Sequence, residues 1–150
     1  MAQTLTNFIV HVIFSTKNRS KDLSVDIRPR LYSYLTKILQ NRGCRVYTIN
    51  GGLDHVHALL RLPADKSPAE LMRDAKAYSS KWIHREFPDK RDFAWQRGYA
   101  GFGVSYSNLD EVYRYIENQE DHHRSRSFED ELVSLLKRNE LEYDENYLWR

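Results

Sequence analysis

The chain has 150 residues, of which 41% are hydrophobic and 29% charged, with a formal net charge of +2. These values suit one domain over residues 1–150 with a single modest core, and no apolar run approaches the roughly 18 residues that cross a bilayer. The opening MAQTLTNF has no basic stretch followed by an apolar one, so no signal peptide is expected. The lone Cys44 rules out an intramolecular disulfide and a cysteine-rich zinc site, which fits a reducing cytoplasm. The small net charge does not by itself mark a nucleic-acid binder, so any DNA-binding face must come from local clustering.

Asn7–Phe14 (NFIVHVIF) is rich in β-branched and aromatic residues and reads as a buried strand. Ser15–Leu23 is polar and basic, hence a loop. A helix follows, with Leu31, Leu35, Ile38 and Leu39 on one face, Pro29 in its first turn and Gly43 ending it. Cys44–Asn50 and His55–Leu62 form a hairpin about Gly51-Gly52. Ser67-Pro68-Ala69-Glu70 has the spacing of a capping box. The helix it opens places Leu71, Ala75, Tyr78 and Trp82 on one stripe and stops before Pro88. Phe93–Ser105 is aromatic and glycine-rich, a strand with a bulge or bend. Ser107 is expected to cap a helix running through Leu109, Val112 and Ile116 to about Glu120. His122–Arg126 is a basic linker, and Ser127 caps a last helix to about Asn139. The order β-α-β-β-α-β-α-α begins with the ferredoxin-like, RRM-like βαββαβ pattern. That is an α+β fold with an antiparallel sheet and helices on one face, followed by a tyrosine-bearing helix and one more.

Two short motifs carry chemistry. His55-Val56-His57 lies on a strand, where alternation turns both imidazoles to one face and Val56, Ala58, Leu60 and Leu62 to the other. This is the arrangement two adjacent metal ligands need, although two exposed polar residues on a solvent face also satisfy it. Tyr115 and Gln119 are four apart and share a helical face, away from Val112 and Ile116. A glutamine carbonyl is a suitable third ligand for a hard divalent ion. A tyrosine hydroxyl, with a reference pKa of about 10, needs a basic or metal-rich setting to act as a nucleophile. Taken alone, Tyr115 also fits an ordinary surface tyrosine.

Tyr113 points about 200° away from Tyr115 around the helix and reads as structural. His11, between Val10 and Val12, reads as a packed or hydrogen-bonded histidine. His122 and His123 read as solvent-exposed. Lys17, Arg19 and Lys21 form a basic loop, and Arg97 flanks the aromatic strand; all four are candidate phosphate contacts.

Together the motifs resemble the HUH-type single-tyrosine transposases of bacterial insertion sequences, the IS200-like family, and their relatives associated with repetitive extragenic palindromes. The resemblance runs through HVIFSTKNR, GGLDHVHALLRLP, SPAELMRDAKAYSSKWI, FAWQRGYAGFGVS, VYRYIENQEDHH and SFEDELVSLLKRNELEYDENYLW. It departs slightly at Gly103, where serine is expected. It implies that His55, His57 and Gln119 hold a divalent metal, Mg²⁺ or Mn²⁺, and that Tyr115 is the nucleophile. It also implies cleavage and rejoining of single-stranded DNA through a 5′-phosphotyrosine and recognition of a DNA hairpin. A homodimer whose active sites are shared between chains is further expected, with the glycines of Ala100–Gly103 as joints before the tyrosine helix. The alternative is a non-catalytic ferredoxin-like single-stranded nucleic-acid-binding protein, with Tyr47, Tyr99 and Phe102 as a stacking platform.

Overall fold

A computed structural model describes residues 2–121 and 126–148, so the expectations for His122 and His123 fall outside the described residues. The elements are β1 (Phe8–Ser15), α1 (Arg28–Asn41), β2 (Arg45–Gly51), β3 (His55–Leu62), α2 (Pro68–Glu86), β4 (Ala100–Val104), α3 (Leu109–Glu117), α4 (Phe128–Arg138) and the short α5 (Glu145–Leu148). The four strands form one antiparallel sheet in the order β2-β3-β1-β4, the ferredoxin-like arrangement expected. In its register Ile13 lies opposite His57, Ser15 opposite His55, and Asn50 opposite His57 on the other side.

Local signals account for most element ends. Pro29 sits in the first turn of α1, and Gly43 follows that helix at φ +90°, a conformation glycine takes without a Cβ penalty. The Ser67 hydroxyl accepts from the Glu70 backbone N–H while Glu70 reaches back to the Ser67 N–H, completing the capping box of α2. The Ser127 hydroxyl caps α4 by accepting from the Asp130 N–H at 3.2 Å.

Alternation divides the strand residues between two faces. Val12, Phe14, Val56, Ala58, Leu60 and Leu62 pack with Leu31, Leu35 and Leu39 of α1 and Leu71, Ala75 and Trp82 of α2. The opposite face is covered as well. Ile9 and Leu59 pack on Ile116 of α3, and Ile13 and Phe102 pack on Phe128, Leu132 and Leu136 of α4. Each such side chain stabilises its helix on the sheet by about 1.5–3 kcal/mol of burial. The face carrying His55 and His57 is therefore roofed by α3 and α4 rather than open to solvent.

Four details differ from the sequence reading. Tyr78 stays exposed, because Ser79 takes the inward position one turn after Ala75; the Arg42 guanidinium lies 5.0 Å from the Tyr78 ring instead. The aromatic strand is regular only over Ala100–Val104, while Trp95 makes an isolated bridge to Thr16. Ser107 belongs to a 3-10 turn, Tyr106–Asn108, and Asn108 precedes α3. Finally, α3 ends at Glu117, and helical geometry resumes at residues 119–121 after a turn at Asn118. Among the described residues no helix is long and apolar enough to cross a membrane.

Candidate active site

His55 and His57 project from β3 onto the face beneath α3 and α4, and both are fully buried. A neighbour orients each ring. Asp54 Oδ1 lies 2.8 Å from His55 Nδ1, and His11 Nε2 lies 2.8 Å from His57 Nδ1. In both histidines Nε2 is thus the nitrogen turned toward the helices. Gly52 makes room for the first ring: a Cβ there would stand 2.9 Å from His55 Cε1.

The roof supplies three polar side chains. Asn50 Nδ2 donates to the Ile116 and Glu117 carbonyls at 2.9 and 3.2 Å, fastening the end of α3 to the sheet. Gln119 Oε1 comes to 3.1 Å from His55 Nε2, and Gln119 Nε2 donates to Glu131 Oε2 at 3.2 Å. Tyr115 donates its phenolic hydrogen to the same Glu131 oxygen. The other oxygen, Oε1, lies 3.0 Å from His57 Nε2 and 4.0 Å from His55 Nε2. Phe128 closes the centre by stacking on His55, with ring centroids 3.9 Å apart and planes within 7°.

The electrostatics suit a cation. Asp54 accepts from His55 Nδ1, which leaves Nε2 a lone pair facing the carbonyl oxygen of Gln119; two acceptors at 3.1 Å need a proton or a metal ion between them. Among the described residues, donor atoms of His55, His57 and Glu131 all lie within 4.8 Å of one another. An octahedral ion with bonds of about 2.1 Å holds neighbouring donors about 3.0 Å apart and opposite donors about 4.2 Å apart. The separations of 3.0 and 4.0 Å at Glu131 Oε1 fall in that range.

Tyr115 is half-buried, and burial, followed by its contact with the Glu131 carboxylate, holds its pKa well above the ordinary tyrosine value. It rests as a phenol. Burial, with the neighbouring His57, lowers His11 to about 3, so His11 is neutral at ordinary pH.

The four residues singled out by the two motifs, His55, His57, Tyr115 and Gln119, therefore converge within one chain. The shared arrangement expected between two chains is not needed to assemble them, and Ala100–Gly103 forms strand β4 rather than a free joint. Tyr113 lies on the surface, 40% exposed. A Cβ at Gly103 would meet nothing within 4 Å, so the serine expected there would fit.

The basic candidates are dispersed. Arg19 and Lys21 line a cleft of about 590 Å³ that reaches Gln119, together with Asn18 and Arg28, and Arg19 pairs with Glu129. Lys17 lines a separate hollow with Asp89 and Lys90. Arg97 lines another, with Tyr99, Phe128 and Leu132. The three aromatics considered as a stacking platform do not share an exposed face: Phe102 is buried under α4, Tyr47 packs against the cluster around Ile116, and Tyr99 is exposed.

One residue of the centre, Glu131, is not marked by either motif. Glu131 falls on the apolar stripe of α4 among Phe128, Leu132 and Leu135, and a carboxylate in such a stripe is the signal that would have found it. His11 is packed and hydrogen-bonded, as expected of it, and its partner His57 is set by the pairing of β1 with β3.

Fold and site together define a ferredoxin-like domain with a buried histidine, carboxamide and carboxylate centre beside a tyrosine. Comparison with known proteins supplies the family. The family described as "Transposase IS200 like" matches residues 4–119, and the chain belongs to it. It is 29% identical over 125 residues to the transposase for insertion sequence element IS200 of Salmonella typhimurium, covering 79% of this chain and 81% of that one. It is 25% identical over 116 residues to the ISDra2 transposase TnpA of Deinococcus radiodurans, covering 74% and 83%. Two solved structures share the fold. One is a protein of Deinococcus radiodurans assigned as a transposase, with TM-score 0.65, 23% identity, and coverage of 79% of this chain and 95% of that one. The other is a REP-associated tyrosine transposase bound to a REP hairpin, with TM-score 0.61, 16% identity, and coverage of 82% and 74%.

Proposed function

We propose that this transposase cuts and rejoins single-stranded DNA with Tyr115 as the nucleophile and a divalent ion held by His55, His57 and Gln119. The observation that carries the reading is the convergence of a tyrosine hydroxyl with two Nε2 atoms and a carboxamide oxygen in one buried centre. The ion, Mg²⁺ or Mn²⁺, would polarise a non-bridging oxygen of the scissile phosphate and neutralise charge in the transition state.

The chain's own groups do the rest. Asp54 and His11, each 2.8 Å from a ring Nδ1, hold the two imidazoles in the orientation that turns Nε2 toward the centre. Glu131 accepts the phenolic hydrogen of Tyr115 and stands where that proton goes as the Oη–phosphorus bond forms. The phosphorus–O3′ bond breaks, and the departing oxygen takes up a proton to become a 3′-hydroxyl. The product is a 5′-phosphotyrosine, which keeps the free energy of the broken diester. Attack by a second 3′-hydroxyl reverses the step and needs no ATP. Phe128, stacked on His55, limits water that would otherwise hydrolyse the intermediate.

The substrate would be single-stranded DNA carrying a hairpin, in keeping with the hairpin bound by the REP-associated relative. The cleft that runs from Arg19, Lys21 and Arg28 to Gln119 supports a path for the strand. Pairing with a second copy is proposed from the resemblance alone. Since Tyr115 meets the histidines of its own chain, each copy would carry a site of its own.

The test is incubation with single-stranded DNA from the gene's own flanks and Mn²⁺, followed by a denaturing gel. A protein band shifted by covalent DNA is expected, absent with Tyr115→Phe and retained with Tyr113→Phe. Cleavage without an adduct would assign the attack to water. Hairpin binding without cleavage would favour a binding protein instead.

A further inference from the structure

The centre contains a carboxylate for which the reaction above uses only one oxygen. Glu131 Oε2 accepts from Tyr115 and Gln119, while Oε1 faces the two Nε2 atoms. We propose that Glu131 is a fourth ligand of the metal, supplied by α4, and that the bound ion thereby fastens this C-terminal helix over Tyr115. The proposal rests on the reading of His55, His57 and Gln119 as a metal centre.

Three observations carry it. First, Oε1 stands at the separations expected of a donor neighbouring His57 Nε2 and nearly opposite His55 Nε2 on one ion. Second, two imidazoles and a carboxamide form a donor set with no charge. Magnesium and manganese favour hard anionic oxygen, and Glu131, only 1% exposed, brings it to within 4.8 Å of the imidazole nitrogens. Third, docking of α4 does not require a carboxylate at this position. Phe128, Leu132 and Leu136 already hold the helix on Ile13 and Phe102, so an apolar residue at 131 would serve the packing as well. The hydrogen bonds to Oε2 fix the carboxylate plane, as outer partners do for ligating carboxylates.

Glu131 lies beyond residues 4–119, the segment that matches the family. The ligand is therefore furnished by a part of the chain that the family match does not include. Its helix also carries Phe128 onto His55 and Glu129 onto Arg19, so one ion would hold the roof, the nucleophile and the basic cleft in register.

The test is a Mn²⁺ titration of the full-length, DNA-free protein, read by calorimetry and by the electron paramagnetic resonance of unbound Mn²⁺. The wild type should bind one ion. His57→Ala should lose binding, and Glu131→Gln, of equal size and with the apolar anchors intact, should bind about tenfold or more weakly. Equal Mn²⁺ affinity in Glu131→Gln and wild type would overturn the proposal and leave the metal centre standing. So would unchanged Mn²⁺ affinity with tighter single-stranded DNA binding, which would make Glu131 a stand-in for the scissile phosphate. No binding by the wild type, or full binding by His57→Ala, would instead overturn the metal centre and the proposal with it. A second measurement needs no variant. Mn²⁺ should slow hydrogen exchange of the α4 amides in the wild type by about tenfold, and unchanged exchange at saturating Mn²⁺ would refute the fastening.

Discussion

His11 Nε2 lies 2.8 Å from His57 Nδ1, and the two rings stack with centroids 5.0 Å apart. The contact joins β1 to β3 across the sheet and selects which nitrogen of His57 faces the centre. If His57 holds the proposed ion, His11 would act as a positioning residue for that ligand without touching the ion itself. His11→Phe keeps an aromatic ring, slightly larger than the imidazole, and loses the hydrogen bond. We expect a drop in Mn²⁺ affinity of roughly 10–100-fold with the fold retained. Calorimetry with circular dichroism checks this, and unchanged affinity would show that His57 needs no such partner.

The same histidine makes stability depend on pH. Burial lowers its pKa from 6.5 to about 3, so the folded protein binds fewer protons at this site than the unfolded chain does. The contribution is fully present above pH 6.5 and is lost as pH falls from 6.5 toward 3. Urea midpoints should therefore fall between pH 7 and pH 4, and fall less steeply in His11→Phe. Parallel curves for the two proteins would show that His11 does not carry the acid sensitivity.

Gly52 gives a structural handle on His55. A Cβ there would stand 2.9 Å from His55 Cε1, a ring also confined by Phe128 and Asp54. Gly52→Ala should displace the imidazole, lower Mn²⁺ affinity by tenfold or more, and cost roughly 1–3 kcal/mol of stability. Gly51→Ala should be worse for folding, because its Cβ would come 2.2 Å from the rigid His55 carbonyl oxygen. A Gly52→Ala protein with wild-type metal affinity would show that the turn yields instead of the ring.

Assembly within one chain has a clear consequence. Tyr115→Phe and His57→Ala are each expected to disable cleavage in their own copy. A site built in cis leaves every copy in a mixture broken, so mixing the two variants should restore no adduct. Restored adduct, after native mass spectrometry has detected mixed dimers, would mean that α3 exchanges between chains in solution.

Much of this protein is legible in its sequence because the signals are local. Alternation in HVHALLRL assigns His55 and His57 to one face and Val56, Ala58, Leu60 and Leu62 to the other, and the structure keeps that division. The capping box at Ser67, Pro29 in α1 and Gly43 after it depend on neighbours within a few residues, and they mark element ends correctly. The four-residue step from Tyr115 to Gln119 survives even a turn at Asn118, since both side chains reach Glu131. What the sequence left undecided were the relations across the sheet and between distant helices. That His11 orients His57 depends on the register of β1 against β3, and that Glu131 enters the centre depends on how α4 docks on Ile13 and Phe102. The histidine face is buried because two helices from the far end of the chain cover it, which no period of two or of 3.6 residues can encode. Local periodicity decides which way a side chain points; only the packing of the folded chain decides what it meets there.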